Sequence, residues 1–201
     1  MNAEQLSREE LLAEVRRLRS QVARLERGRS ERRRALASGL HDATHDLITG
    51  LYNHAHVIEH LSLAIRSAKR YHYPLSICVV RMDGLSTVYE TQGTDVAEEL
   101  LCEFGRLVID ELRGDDIGGR YGQEGFCIVF PHTMPANAAL GMERVRRAFN
   151  KLIVDLPIQV AFGVAGLVSG DMQPAELLAD AEKAVEQARE SGGDRIVVHV
   201  P

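Results

Sequence analysis

The chain has 201 residues, with 24 Lys and Arg against 29 Asp and Glu for a net charge of −5, and 45% apolar residues that include no Trp. Those figures suit one soluble domain with an appendage. No apolar run approaches the roughly 20 residues of a membrane span, and the N-terminus is polar and charged, so membrane-spanning and secretory readings are excluded and a cytoplasmic protein is expected.

Residues 1–40 hold ten Arg and six Glu, so the net −5 divides into +4 on this arm and −9 on residues 41–201. An acidic body disfavours non-specific nucleic-acid binding, and no nucleic-acid partner is expected. The Arg-rich stretch at 27–34 reads as solvated helix charge, with contact to an anionic surface as the alternative. Within the arm, Leu11, Val15, Leu18, Val22 and Leu25 are spaced 4, 3, 4, 3, placing Leu at d and Val at a of a heptad. That chemistry favours a parallel two-stranded coiled coil, with Glu14 at g facing Arg19 at the following e of the partner helix. A single amphipathic helix packed on its own domain would use the same stripe. After Leu25 the seam meets Arg29 and Arg32, with Gly28 between, so it is short and marginal alone. The expected organisation is a dimerising stalk over 1–44, paired through 11–25, and a globular domain over 45–201.

Beyond the arm, helices and strands alternate. Val57, Leu61 and Ile65 mark a helix over about 53–68, and 75–80 is a continuous apolar, buried strand. The periodic set Val96, Leu100, Leu101, Phe104, Leu107, Val108 and Leu112 predicts a long amphipathic helix that Gly114 and Asp115 end. Two short strands, 117–121 and 126–130, flank the turn Gly122-Gln123-Glu124-Gly125, and Pro131 closes the second. A helix over 135–149, a strand over 158–167, a helix over 174–190 and a strand over 195–200 complete the chain. The order α β α β β α β α β implies an α/β class, an α+β sandwich in which a mixed sheet is flanked by helices, near the ferredoxin-like and nucleotide-cyclase arrangements. Cys78, Cys102 and Cys127 sit in apolar settings without C-x-x-C spacing, which predicts buried reduced thiols.

The octet Asp46-Leu47-Ile48-Thr49-Gly50-Leu51-Tyr52-Asn53 resembles the D-x-L-T-G-L-x-N opening of GGDEF domains, the diguanylate cyclases that condense two GTP into cyclic di-GMP. The likeness continues through Pro74-Leu75, Arg120-Tyr121-Gly122, Phe126, Pro131, Glu143-Arg144, Gly163-Val164-Ala165 and 188–192, so it covers about 46–198. It implies the nucleotide-cyclase-like fold, and a coiled coil upstream is common in the family.

The chemistry departs from that family. Phosphodiester formation needs a divalent metal held by carboxylate oxygens. Where the resemblance places a ligand Asp at the end of the first strand, this chain has Arg81, followed by Met82 and Asp83, and a cation there opposes metal binding. The signature turn becomes Gly122-Gln123-Glu124-Gly125-Phe126, which keeps one acid, loses the next, and puts Gln where a glycine lets backbone approach the substrate. The positions of the guanine-reading Asn, its Asp partner and the phosphate-side Lys hold Tyr89, Glu98 and Ser86, and Arg189 stands at the late Lys, read here as a solvated helix-end cation. The resemblance therefore implies a degenerate domain with no metal and no cyclase activity.

The regulatory site is retained in residue type. Arg113-Gly114-Asp115-Asp116 matches the family's R-x-x-D before the signature turn, and Arg144 matches the second Arg of that site. Arg forks bind guanine O6 and N7 and phosphate oxygens, while a carboxylate accepts from the guanine N1–H and N2–H edge. Arg113 and Asp116 are expected to share one guanine and its phosphate, with Arg144 clamping from a neighbouring domain. A local ion pair at a helix end would use the same residues. The pairs His41/His45 and His56/His60, each at i, i+4 on predicted helices, could present two imidazoles to a metal, but neither has an evident third ligand, and a surface or helix-packing role is expected. The reading favoured by the sequence is a homodimeric cyclic di-GMP receptor that signals to a partner protein and uses no cofactor. The alternatives are a scaffold that binds no nucleotide and a weak cyclase using Glu124 and Asp83.

Overall fold

The computed structural model describes residues 43–153, 156–168 and 172–200. The heptad stripe at 11–25 and His41 lie outside the described residues. Helix α1, His54–Tyr71, opens on Asn53, whose side chain accepts from His56 N–H and satisfies one orphan donor of the first turn. It closes with Lys69 and Arg70 in its last turn, where cations suit the helix dipole. Its buried stripe is Val57, Leu61, Ala64, Ile65 and Ala68. The central strand β1, Leu75–Asp83, runs three residues past its continuous apolar run, carrying Arg81 and Asp83 to the rim of the sheet.

Two helices then stand where the sequence pattern showed one. Helix α2, Leu85–Gln92, precedes α3, Thr94–Glu111. It begins on Gly84 at φ +88° and buries just Leu85 and Val88, too short a pattern to register as periodicity. Strands β2, Ile117–Arg120, and β3, Gly125–Pro131, pair as the expected hairpin, with Gly125 already inside β3. Helix α4 (Pro135–Asn150), β4 (Gln159–Gly166), α5 (Pro174–Glu190) and β5 (Arg195–Val198) follow as the patterning requires.

The five strands lie in the order β2-β3-β1-β4-β5, antiparallel except for the parallel pair β4–β5. Strand alternation divides the apolar side chains between two layers. Cys78, Val80, Met82, Phe126, Ile128, Val160 and Phe162 pack with Phe104 of α3 and Phe149 of α4. On the opposite face Ile77, Val79, Cys127, Val129 and Ala161 pack with Leu61 of α1 and Leu177 of α5. A mixed sheet flanked by helices, the expected class, is thus the observed one. Cys78 and Cys127 are buried free thiols on opposite faces, and Cys102 is half-buried. Among the described residues no helix is long and apolar enough to cross a membrane.

Candidate functional site

The end of β1, the β2–β3 turn and the C-terminal half of α5 meet at one end of the sheet. Register puts Arg81 directly opposite Gly125. The Arg81 guanidinium donates from Nη1 to the Tyr121 carbonyl at 3.0 Å and from Nη2 to Glu182 Oε1 at 3.0 Å, and it lies 5.1 Å from the centre of the Tyr121 ring. It occupies the space that a side chain at Gly125 would need: a Cβ there would fall 2.1 Å from Arg81 Nη1 and 2.3 Å from the Tyr121 carbonyl oxygen. Next along β1, Asp83 accepts both donors of an Arg189 fork, at 2.8 and 2.9 Å. Arg189 is therefore tied across this end, where the sequence suggested a solvated cation. Glu124 Oε1 accepts from Ser86 N–H at 3.1 Å, at the N-terminus of α2, and Tyr89 of that helix is half-buried against the core. Arg120 secures the turn from below, donating to the carbonyls of Gly122 and Gln123, and Gln123 itself is exposed. Each of these carboxylates is engaged by a protein donor, and the described residues hold no cluster of three or more His, Cys, Asp or Glu able to hold a metal.

A second site lies between the end of α3, the loop into β2 and α4. Arg113, Asp116 and Arg144 all line one hollow of about 250 Å³. Asp116 closes a turn on Arg113: its Oδ2 accepts from Arg113 N–H at 3.0 Å, and its own N–H donates to the Arg113 carbonyl at 3.1 Å. This leaves the Arg113 side chain exposed at the rim. Burial pushes the Asp116 carboxyl above its ordinary range, opposed by the Arg113 N–H and charge. Arg144 projects from α4 into the same hollow as Arg113 and Asp116 of its own chain. The covalent spacing of 28 residues between Asp116 and Arg144 hides a proximity that the β2–β3 hairpin creates by returning the chain to the start of α4.

Sequence reasoning missed Glu111, His132 and Asn137, which line the same hollow. Glu111 is bound to Arg144 and forms no motif with it in sequence. His132 holds a left-handed φ of +54° and lies tilted against Tyr73 with ring centres 3.7 Å apart, a placement set by the end of β3. His56 and His60 lie against Tyr52 at 6.4 and 4.8 Å between ring centres, with His45 stacked on the same ring at 4.6 Å.

The family model described as Diguanylate cyclase, GGDEF domain, matches residues 43–195. The chain belongs to the GGDEF family. It is 28% identical over 174 residues to the response regulator PleD of Caulobacter vibrioides, covering 82% of this chain and 38% of that protein, so it spans well under half of that relative's length. Among solved structures it is similar to the diguanylate cyclase SiaD of Pseudomonas aeruginosa in complex with its activator SiaC, at 28% identity and TM-score 0.71, covering 94% of this chain and 75% of that one. It also shares the fold of the coiled coil and GGDEF domain of DgcB from Caulobacter crescentus in complex with c-di-GMP, at 20% identity and TM-score 0.72, covering 90% and 97% of the two chains.

Within this GGDEF domain, the octet that identifies the family is a structural clamp. Asp46 Oδ1 accepts from Thr49 N–H and Oγ1 at 2.9 and 2.7 Å, and Asn53 donates from Nδ2 to the Ala43 carbonyl while capping α1. The octet ties the opening loop to the start of α1, while both candidate sites are assembled by later segments.

Proposed function

We propose that this GGDEF protein is a cyclic di-GMP receptor that has no cyclase activity, and that as a homodimer paired through residues 11–25 it passes occupancy to a partner protein. The convergence of Arg113, Asp116 and Arg144 on one hollow carries the reading. Two guanidinium groups and a carboxylate supply what a guanine edge and a phosphate require. A hollow of about 250 Å³ is below the roughly 300–1,000 Å³ of sites that enclose a whole drug-sized ligand. It suits one guanine with its phosphate, leaving the other half of the dinucleotide for a second ligand or a second domain. The DgcB domain, which shares this fold, was solved with c-di-GMP, and SiaD was solved with a protein activator, which supports both a dinucleotide and a partner here.

The proposed lack of cyclase activity rests on the residues at the end of β1 and in the β2–β3 turn. Mg²⁺ is held through one or two free carboxylates, with waters and substrate phosphates completing a near-octahedral shell. Arg81 brings a fixed positive charge to the ligand position, Arg189 engages both Asp83 oxygens, and Glu124 is held on Ser86 N–H.

Calorimetric titration of the full chain with cyclic di-GMP, and separately with GTP plus Mg²⁺, tests the proposal. Saturable dinucleotide binding without a GTP signal is expected, and Arg113→Ala should abolish it. Formation of cyclic di-GMP from GTP, lost on Glu124→Gln, would establish an enzyme instead. No binding of either nucleotide would leave a scaffold.

A further inference from the structure

The hollow contains its own anion. Glu111, in the last turn of α3, accepts from Arg144 Nε at 2.9 Å through Oε2 and from Arg144 Nη2 through Oε1, a two-point fork between residues 33 apart in sequence. The Glu111 side chain is 22% exposed and that of Arg144 63%, so the acid is the enclosed partner and the guanidinium has room to swing. The Nε/Nη2 edge that Glu111 takes is one of the two edges of a guanidinium that match a pair of phosphate oxygens, and the carboxylate cancels the charge that would attract a phosphate to the other. Beside the pair, Gly141 of α4 opens space: a Cβ there would lie 3.7 Å from Glu111 Oε1 and 3.9 Å from Arg144 Nη2, with nothing nearer.

Resting on the dinucleotide reading, we propose that Glu111 is a built-in competitor for the ligand's phosphate. It holds one phosphate-matching edge of Arg144 and neutralises the charge behind the other, and so lowers the affinity of the hollow. It acts through Arg144 and is a positioning residue. An acid with no ligand role would be a poor choice in a site for a dianion, since it repels the phosphates it adjoins. As a latch, that same charge raises the dinucleotide concentration at which the site fills.

The test is calorimetry of the full chain and of Glu111→Gln with cyclic di-GMP. Gln keeps the size and one acceptor but removes the charge, so affinity should rise about three- to tenfold. In an Arg144→Ala background the same substitution should change affinity by less than about twofold, because the competitor acts through that arginine. Equal or weaker binding by Glu111→Gln overturns the latch and leaves the dinucleotide reading intact. A gain that persists undiminished without Arg144 also overturns it, by showing a simple charge effect. Failure of both wild type and Glu111→Gln to bind overturns the dinucleotide reading itself, and the latch with it.

Discussion

Arg81 and Gly125 are two departures from the family pattern that compensate one another. A guanidinium can lie across the register position only because its neighbour on β3 has no side chain. Gly125→Ala would press a methyl onto Arg81 and onto the Tyr121 carbonyl, and an overpacked buried position of this kind costs about 1–3 kcal/mol. Arg81→Ala in the same chain should restore only part of the loss, since the Tyr121 carbonyl is backbone and stays; denaturant unfolding of the three variants measures it. Gly141 makes the opposite case. Interior helical glycine costs about 1 kcal/mol relative to Ala, and no close contact here demands it. Gly141→Leu should therefore leave stability unchanged or raised while filling the hollow and abolishing dinucleotide binding, and binding retained by a folded Gly141→Leu would separate the hollow from the ligand site. The sequence displayed Arg113, Asp116 and Arg144 because a motif frame indexes them. It could not display the Glu111–Arg144 pair, whose members meet through tertiary packing and follow no local spacing.

At the scale of elements, periodicity located every helix and strand that buries a long stripe, and failed for α2, whose two buried residues give no repeat. Strand order was equally invisible locally: β1 becomes central because β3 and β4 both pair with it in antiparallel fashion. Helix α4, which carries Arg144 and Gly141, is anchored by charge as well as by packing. Glu143 accepts from Arg146 and Arg147, and Arg146 also donates to the Asp194 carbonyl, tying the helix to the segment before β5. The hydrogen bonds from Arg146, then those from Arg147, hold the Glu143 carboxyl down to about 2 from the ordinary 4.5. A carboxylate with a lowered folded-state value contributes stability that is fully present above the unfolded value and is lost as pH falls through the folded one. The contribution of this pair should accordingly fade between about pH 4.5 and pH 2. Glu143→Gln should be less stable than wild type at pH 7 and converge with it near pH 2; a difference constant across that range in thermal unfolding would place the effect elsewhere.

For the whole molecule, the proposed homodimer turns on what would join two copies. The candidate seam offers only five apolar a and d residues before arginines interrupt it, and coiled coils of so few turns are marginal. The body adds exposed apolar side chains such as Leu47 in the opening loop, Leu63 on α1 and Leu140 on α4, and its net −9 makes two bodies repel. With a short seam opposed by like charge, the proposed dimer should dissociate on dilution and strengthen with added salt, which screens the bodies more than it weakens an apolar seam. Light scattering of the full chain should show that dependence, and removal of residues 1–30 should give a monomer at the same concentrations. A ligand that bridges two domains changes the balance, because binding to the dimer in preference to the monomer shifts association by mass action. Cyclic di-GMP should therefore raise the dimer fraction of the full chain, and to a smaller extent that of the shortened one, which lacks the tether that keeps two hollows at high effective concentration. A shortened chain that remains dimeric without ligand would move the interface to the globular domain, and the arm would then be a single helix available to a partner.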